Sequence, residues 1–299
     1  MKFDIVIGNP PYNDGADIDF IFLGNKLIKN TGSEVLITPA KEFVADPNQI
    51  IQSYYTYGNF QEKIVPCIDS LVFYPCCRDI FDILQVDGIA YYHINAFKVE
   101  KCKVVNRSKY LTELNSTEIR DIKNRKSLIN IGNELVKLLG NYESFKVEQD
   151  IQNNKKYYVW INTKNAGGAL ATLESRKKTM FIGATKIYAE GHIPGTAEKC
   201  IMSTNNLMEC KSLISYISSR FVQFFRFINQ SKLTNTVTDD GCRFVPAPDI
   251  KEDGSYDWSH IYTDEYLYKE YNIPQKYIDI IESIIKERDI SEVLNKNEI

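Results

Sequence analysis

Phe3-Asp4-Ile5-Val6-Ile7-Gly8-Asn9-Pro10-Pro11-Tyr12-Asn13 is the stretch on which the reading of this chain turns. Three β-branched residues, Ile5, Val6 and Ile7, run into Gly8, a pattern that predicts a short strand. The strand stops at two consecutive prolines, which fix φ and remove two backbone donors, so the loop's carbonyls stay free to accept from another group. Such a loop sits at the carboxyl edge of a sheet, where open α/β sheets bind ligands. The Asn9 side-chain oxygen and a proline carbonyl can both accept from one NH2 group, and Tyr12 offers a ring face for stacking. The combination suits the positioning of a weakly nucleophilic exocyclic amine.

Downstream, residues 13–33 read as a loop and then a helix. Asn13, Asp17 and Asp19 are cap-like, and Phe20, Leu23, Leu27 and Ile28 fall on one helical face. Asn30-Thr31-Gly32-Ser33 ends the helix, and Glu34-Val35-Leu36-Ile37-Thr38-Pro39 is the next strand. Strand, loop, helix and strand within forty residues make one βαβ unit of a parallel sheet. A helix around Asn48–Tyr57 and a strand around Glu62–Ile68 continue the pattern. Val72–Pro75 and Asp87–Asn95 follow as further strand-like stretches.

Composition narrows the class. Hydrophobic content of 43% and charged content of 25% are those of a globular protein. No run of eighteen apolar residues exists, so no membrane span is expected. The amino terminus lacks the apolar region of a signal peptide. Seven Cys without a paired Cys-x-x-Cys fit reduced thiols of a cytoplasmic protein. His93, His192 and His260 lie far apart, and no metal constellation emerges. Charge is unevenly distributed: Lys98 to Lys232 carries 23 Lys and Arg against 12 Asp and Glu, and the remainder 13 against 27. A basic middle between acidic ends is the footprint of a module that meets a polyanion.

On Asn9-Pro10-Pro11-Tyr12 the chain resembles the DNA amino-methyltransferases that make N6-methyladenine, whose motif reads Asn/Asp-Pro-Pro-Tyr/Phe/Trp. The resemblance implies S-adenosylmethionine as methyl donor and an adenine flipped out of double-stranded DNA. It gives Asn9, Pro10, Pro11 and Tyr12 the catalytic site, with Asn9 and Pro10 gripping the amine and Tyr12 stacking on the base. Asn9 would also meet the cofactor. Asp87–Asn95 is similar to the family's late hairpin, which makes Tyr91 or Tyr92 the candidate for the base's other face. Strand alternation lets only one of them point at the pocket.

From about residue 106 the texture changes, and this section resembles the family's target-recognition region. Lys123, Arg125 and Lys126, then Arg176, Lys177 and Lys178, are the candidate phosphate contacts. Ile131–Leu139 and Tyr157–Ile161 read as helix and strand, and Met208–Asn229 as a helix. Arg243-Phe244-Val245-Pro246, Asp257-Trp258 and Tyr262-Thr263-Asp264-Glu265-Tyr266-Leu267-Tyr268 are similar to the way restriction–modification methyltransferases close that domain. Thr263 can cap the helix holding Leu267, and an amphipathic helix follows from Pro274 to Arg288. The expected organisation is therefore α/β: a partial Rossmann-like methyltransferase sheet over 1–105, a mixed α+β recognition domain over 106–290, and a flexible tail over 291–299.

The family's glycine-rich cofactor loop, Phe-x-Gly-x-Gly on an earlier strand, has no counterpart here: Gly183 and the 188–195 turn lack the strand-glycine-helix context. The chain thus reads as the second half of the enzyme. Phe3–Gly8 would then be an exposed apolar edge, and such an edge recruits a partner. The expectation is a separate polypeptide carrying the cofactor half, or self-association through that edge. The motif also serves RNA and protein glutamine, while the basic middle favours DNA. An inactive DNA-binding specificity or decoy protein is the alternative, and an inert fragment the third reading.

Overall fold

The computed structural model of the chain describes residues 2–12, 15–82, 88–147, 151–162, 185–196, 198–229 and 238–297. Two compact units divide it, the first reaching Glu134 and the second beginning at Leu135.

The first unit is mixed α/β. It runs β1 (Phe3–Gly8), α1 (Ala16–Leu27), β2 (Ile28–Pro39), α2 (Tyr57–Lys63), β3 (Ile68–Tyr74), β4 (Ile89–Asn95), β5 (Cys102–Asn106) and β6 (Ser116–Arg120). The α3 helix, Asn130–Leu139, follows across the division. Six strands form one sheet in the order β1-β2-β4-β3-β5-β6. β1 is parallel to β2 and β3 to β5, while β4 runs antiparallel between β2 and β3. The βαβ unit expected from the opening residues is therefore present.

Side chains alternate across this sheet with period two. Leu36, Tyr92, Leu71 and Val104 stand in register across β2, β4, β3 and β5, and all four are buried. The α1 and α2 helices lie on that face. Gly24 of α1 comes so close to β2 that a Cβ there would stand 1.9 Å from Glu34 Oε1. Phe60 of α2 and Phe43 meet Tyr92 edge-on at 6.4 and 5.3 Å. The other face is open: Ile5 is 61% exposed, Ile7 77% and Ile119 71%.

Several boundaries differ from the sequence reading. In α1 the buried apolar residues are Ile18, Ile21 and Phe22, while Phe20 and Leu23 are exposed. Close approach at Gly24 sets the rotation, turning Asp17, Ile21 and Gly24 to the sheet at helical spacing. The helix is entered through Gly15 at φ 95 with no side-chain cap. No helix forms over residues 48–56; α2 begins at Tyr57 because Thr56 and Asn59 make a capping box. The following strand accordingly starts at Ile68. The first unit passes residue 105 because β5 and β6 extend the same sheet.

In the second unit β7 (Tyr157–Asn162), β8 (Thr185–Ala189) and β9 (Glu198–Thr204) form an antiparallel sheet in the order β8-β7-β9. Among the described residues five helices follow: α4 (Leu207–Ser218), α5 (Arg220–Ile228), α6 (Asp264–Glu270), α7 (Gln275–Ile284) and α8 (Ser291–Leu294). The single helix expected over Met208–Asn229 is two, because Ser219 is extended at ψ 147 and its hydroxyl accepts from Val222 N at 3.1 Å. Thr263 caps α6 as expected, accepting from Tyr266 N. The first tail residues form α8, where Lys211 Nζ donates to the Leu294 carbonyl at 2.6 Å. Among the described residues no helix is long and apolar enough to cross a membrane.

Candidate active site

The Asn9–Tyr12 loop leaves the carboxyl end of β1. Asn9 and Pro11 are exposed, Pro10 is buried and Tyr12 is half-buried. The Tyr12 hydroxyl lies against Asn9 Oδ1, to which it donates, and 3.2 Å from the Ile37 carbonyl of β2. Asn9 Oδ1 keeps a second lone pair for an incoming N–H.

Beneath the loop sits a charged group that the sequence reading did not assign to the site. Asp17 and Glu42 are fully buried, and Lys41 Nζ stands 3.9 Å from Asp17 Oδ2. Burial raises the Glu42 carboxyl well above its usual range, and the neighbouring Asp17 carboxyl raises it further. Burial, then the negative charge of Glu42 and Asp17, pushes the Tyr12 hydroxyl up to about 12. Tyr12 therefore stays protonated at any physiological pH and serves as a donor. Asp17 reads in sequence as a helix cap, and Lys41-Glu42 follows Pro39 without a motif. Their position just past the carboxyl end of β2 is the signal that links them to Asn9.

The two tyrosines of the late hairpin separate as strand alternation requires. Tyr92 is 2% exposed, with its hydroxyl 3.1 Å from Thr38 Oγ1. It is a core residue and cannot stack on a base, which corrects its candidacy. Tyr91 is 38% exposed on the open face, paired in register with Ile37. Its ring lies 6.1 Å from that of Tyr74.

The first basic cluster is largely engaged within the unit. Arg125 donates from Nε and Nη2 to the Val44 carbonyl at 3.1 and 2.7 Å, and Lys126 Nζ meets Asp121 Oδ2 at 2.6 Å. Lys123 is half-buried, its backbone N–H donating to Asp121 Oδ1 at 2.9 Å. Arg125 tethers its loop to Val44, a role basic clustering alone does not reveal. Arg176, Lys177 and Lys178 lie outside the described residues. Among the described residues no group of His, Cys, Asp and Glu could hold a metal ion. No protein-family model matches the chain, and no curated protein matches it.

Proposed function

We propose that the chain is the catalytic and target-recognition half of a DNA adenine-N6 methyltransferase, completed by a separate polypeptide that carries most of the cofactor site. The observation that carries this reading is the exposed Asn9 amide, held by Tyr12 at the carboxyl end of a parallel strand. Asn9 Oδ1 and the Pro10 carbonyl would accept from the adenine amino group and turn its lone pair outward, while Tyr12 supports the base. Bound S-adenosylmethionine would supply an electrophilic methyl group. Transfer would form the N–C bond as the S–C bond breaks, with the amine's surplus proton released to solvent. Positioning does most of this work, since the loop is pre-shaped by two prolines and one hydroxyl.

The sheet supports an incomplete site. β1 is an edge strand, and α1 occupies one face beside it. Crossovers between parallel strands are right-handed in nearly all cases. A sheet continued beyond β1 would reverse its winding direction there and lay its crossover helices on the face that is open here, over Ile5 and Ile7. β1 would then be the strand at which winding reverses, the place where open α/β sheets bind their ligands. Asn9 lies at that point and fits a cofactor approaching from the free edge. The glycine-rich loop is left to the partner, and the basic middle of the sequence supports DNA as the substrate.

Replacing Asn9 by Ala tests the reading. The expected result is loss of methyl transfer by about 100-fold or more, with DNA affinity changed less than about threefold. Equal loss of both would point to a DNA-binding protein without transfer chemistry.

A further inference from the structure

The second unit holds an ordered aromatic surface that the methyl-transfer site does not use. In the β7–β9 sheet, Tyr157, Val159, Ile161 and Ile187 are buried on one face. The opposite face carries Tyr158 and Trp160 of β7, both part-exposed, with Tyr188 and Lys186 of β8 beside them in register. His192, in the turn after β8, folds back onto this face. Its ring stacks on Tyr188 at 3.5 Å and 4°, and meets Trp160 at 5.3 Å nearly edge-on. Glu198 locks the arrangement, accepting from His192 Nε2 at 3.1 Å and from Gly195 N at 2.9 Å. Trp160 Nε1–H is enclosed and has no acceptor among the described residues.

An antiparallel sheet ordinarily turns polar residues to solvent. Here that face has three aromatic rings and an imidazole, with Ser203 and Cys200 beside Tyr158 and Trp160 on β9. Of the lysines around this sheet, Lys186 stands on this face beside Trp160, whereas Lys199 pairs in register with buried Ile161 and Lys156 Nζ lies over the Tyr157 ring, both on the other face. Flat rings with a lysine beside them and little aliphatic surface match a polyanion that presents flat rings of its own. Bases inside a duplex cannot reach such a surface, because they are stacked on one another.

We propose that Trp160, Tyr188, Tyr158 and His192 form a stacking platform for unpaired bases of a nucleic-acid strand, with Lys186 contacting its phosphates. This inference borrows only the ligand class from the proposed function, and its test involves no methyl transfer.

Tryptophan fluorescence reads the site directly. The chain has two tryptophans, and Trp258 is 6% exposed among Tyr216, Tyr256 and Tyr262. Titration with a short mixed-sequence single-stranded oligonucleotide should quench emission, and the quench should disappear in Trp160→Phe. Tyr188→Leu, which keeps an apolar body on β8, should weaken single-strand binding roughly 5- to 100-fold, with far-UV circular dichroism and melting temperature unchanged. Four results would overturn the proposal: no quench, a quench that survives in Trp160→Phe, unchanged affinity in a folded Tyr188→Leu chain, or binding confined to blunt duplex DNA. Failure of methyl transfer would leave all of these readings intact.

Discussion

The Tyr12 hydroxyl donates to the side-chain oxygen of Asn9, and this bond makes the two polar groups of the prolyl loop one unit. The loop has little else to hold the Asn9 amide, which is exposed. Tyr12→Phe keeps the ring and removes the donor. Losing one neutral hydrogen bond should lower the methyl-transfer kcat roughly 2- to 10-fold, with DNA affinity unchanged. Tyr12→Ala, which also removes the stacking face, should cost more. Burial and the nearby carboxyls hold the Tyr12 hydroxyl at about 12, so no alkaline loss of activity below about pH 11 should trace to Tyr12. A kcat equal to wild type in Tyr12→Phe would show that the bond does not position Asn9.

Glu34 sets a pH dependence of stability. It is 0% exposed under Gly24, neither of its carboxyl oxygens has a hydrogen-bond partner among the described residues, and burial raises it from 4.5 to about 8. Below pH 4.5 the group is neutral in folded and unfolded chains alike. Between 4.5 and 8 the unfolded chain releases a proton that the folded chain keeps, so stability falls as pH rises through that window. The loss should total on the order of a few kcal/mol. Urea unfolding at pH 5, 6.5 and 8 should show the decline in the wild type and a flatter profile in Glu34→Gln. Parallel profiles would assign the slope to other groups.

Ile5 and Ile7 serve no packing purpose in the chain as described, being 61% and 77% exposed. Changing both to Lys should leave the isolated chain's stability within about 0.5 kcal/mol of wild type per site. The same change should abolish association with a cofactor-binding partner, because it places two charges on the surface the partner's helices would cover. Retained association would move the interface elsewhere.

Arg125 should behave as a structural residue. Its two hydrogen bonds to the Val44 carbonyl are lost in Arg125→Ala, which should cost about 1–3 kcal/mol of stability. The salt dependence of DNA binding should be unchanged, whereas a phosphate contact would reduce its slope by about one.

What was legible in the sequence was local. β-branched Ile5, Val6 and Ile7 before a prolyl loop gave the first strand, and the hydroxyl of Thr263 gave the start of α6, because each rests on neighbours in the chain. Misplaced elements depended on contacts that no local pattern encodes. The buried side of α1 follows from the fit of Gly24 over Glu34, 10 residues away. The break at Ser219 depends on one residue able to cap the next helix, inside a run whose apolar spacing reads as a single helix. Asp17 and Glu42 belong to the site for the same reason: their proximity to Tyr12 comes from the sheet, which places the carboxyl ends of β1 and β2 side by side.

Transfer of labelled methyl groups from S-adenosylmethionine to mixed-sequence duplex DNA tests the central claim most directly. The chain should be assayed alone and with the product of the adjacent upstream gene, and the DNA digested to nucleosides. The expected result is label in N6-methyladenine with the mixture, none with the chain alone, and none when Asn9→Ala replaces the wild type. Label that persists with Asn9→Ala, or DNA that is bound but never methylated in the mixture, would contradict a catalytic role for this loop.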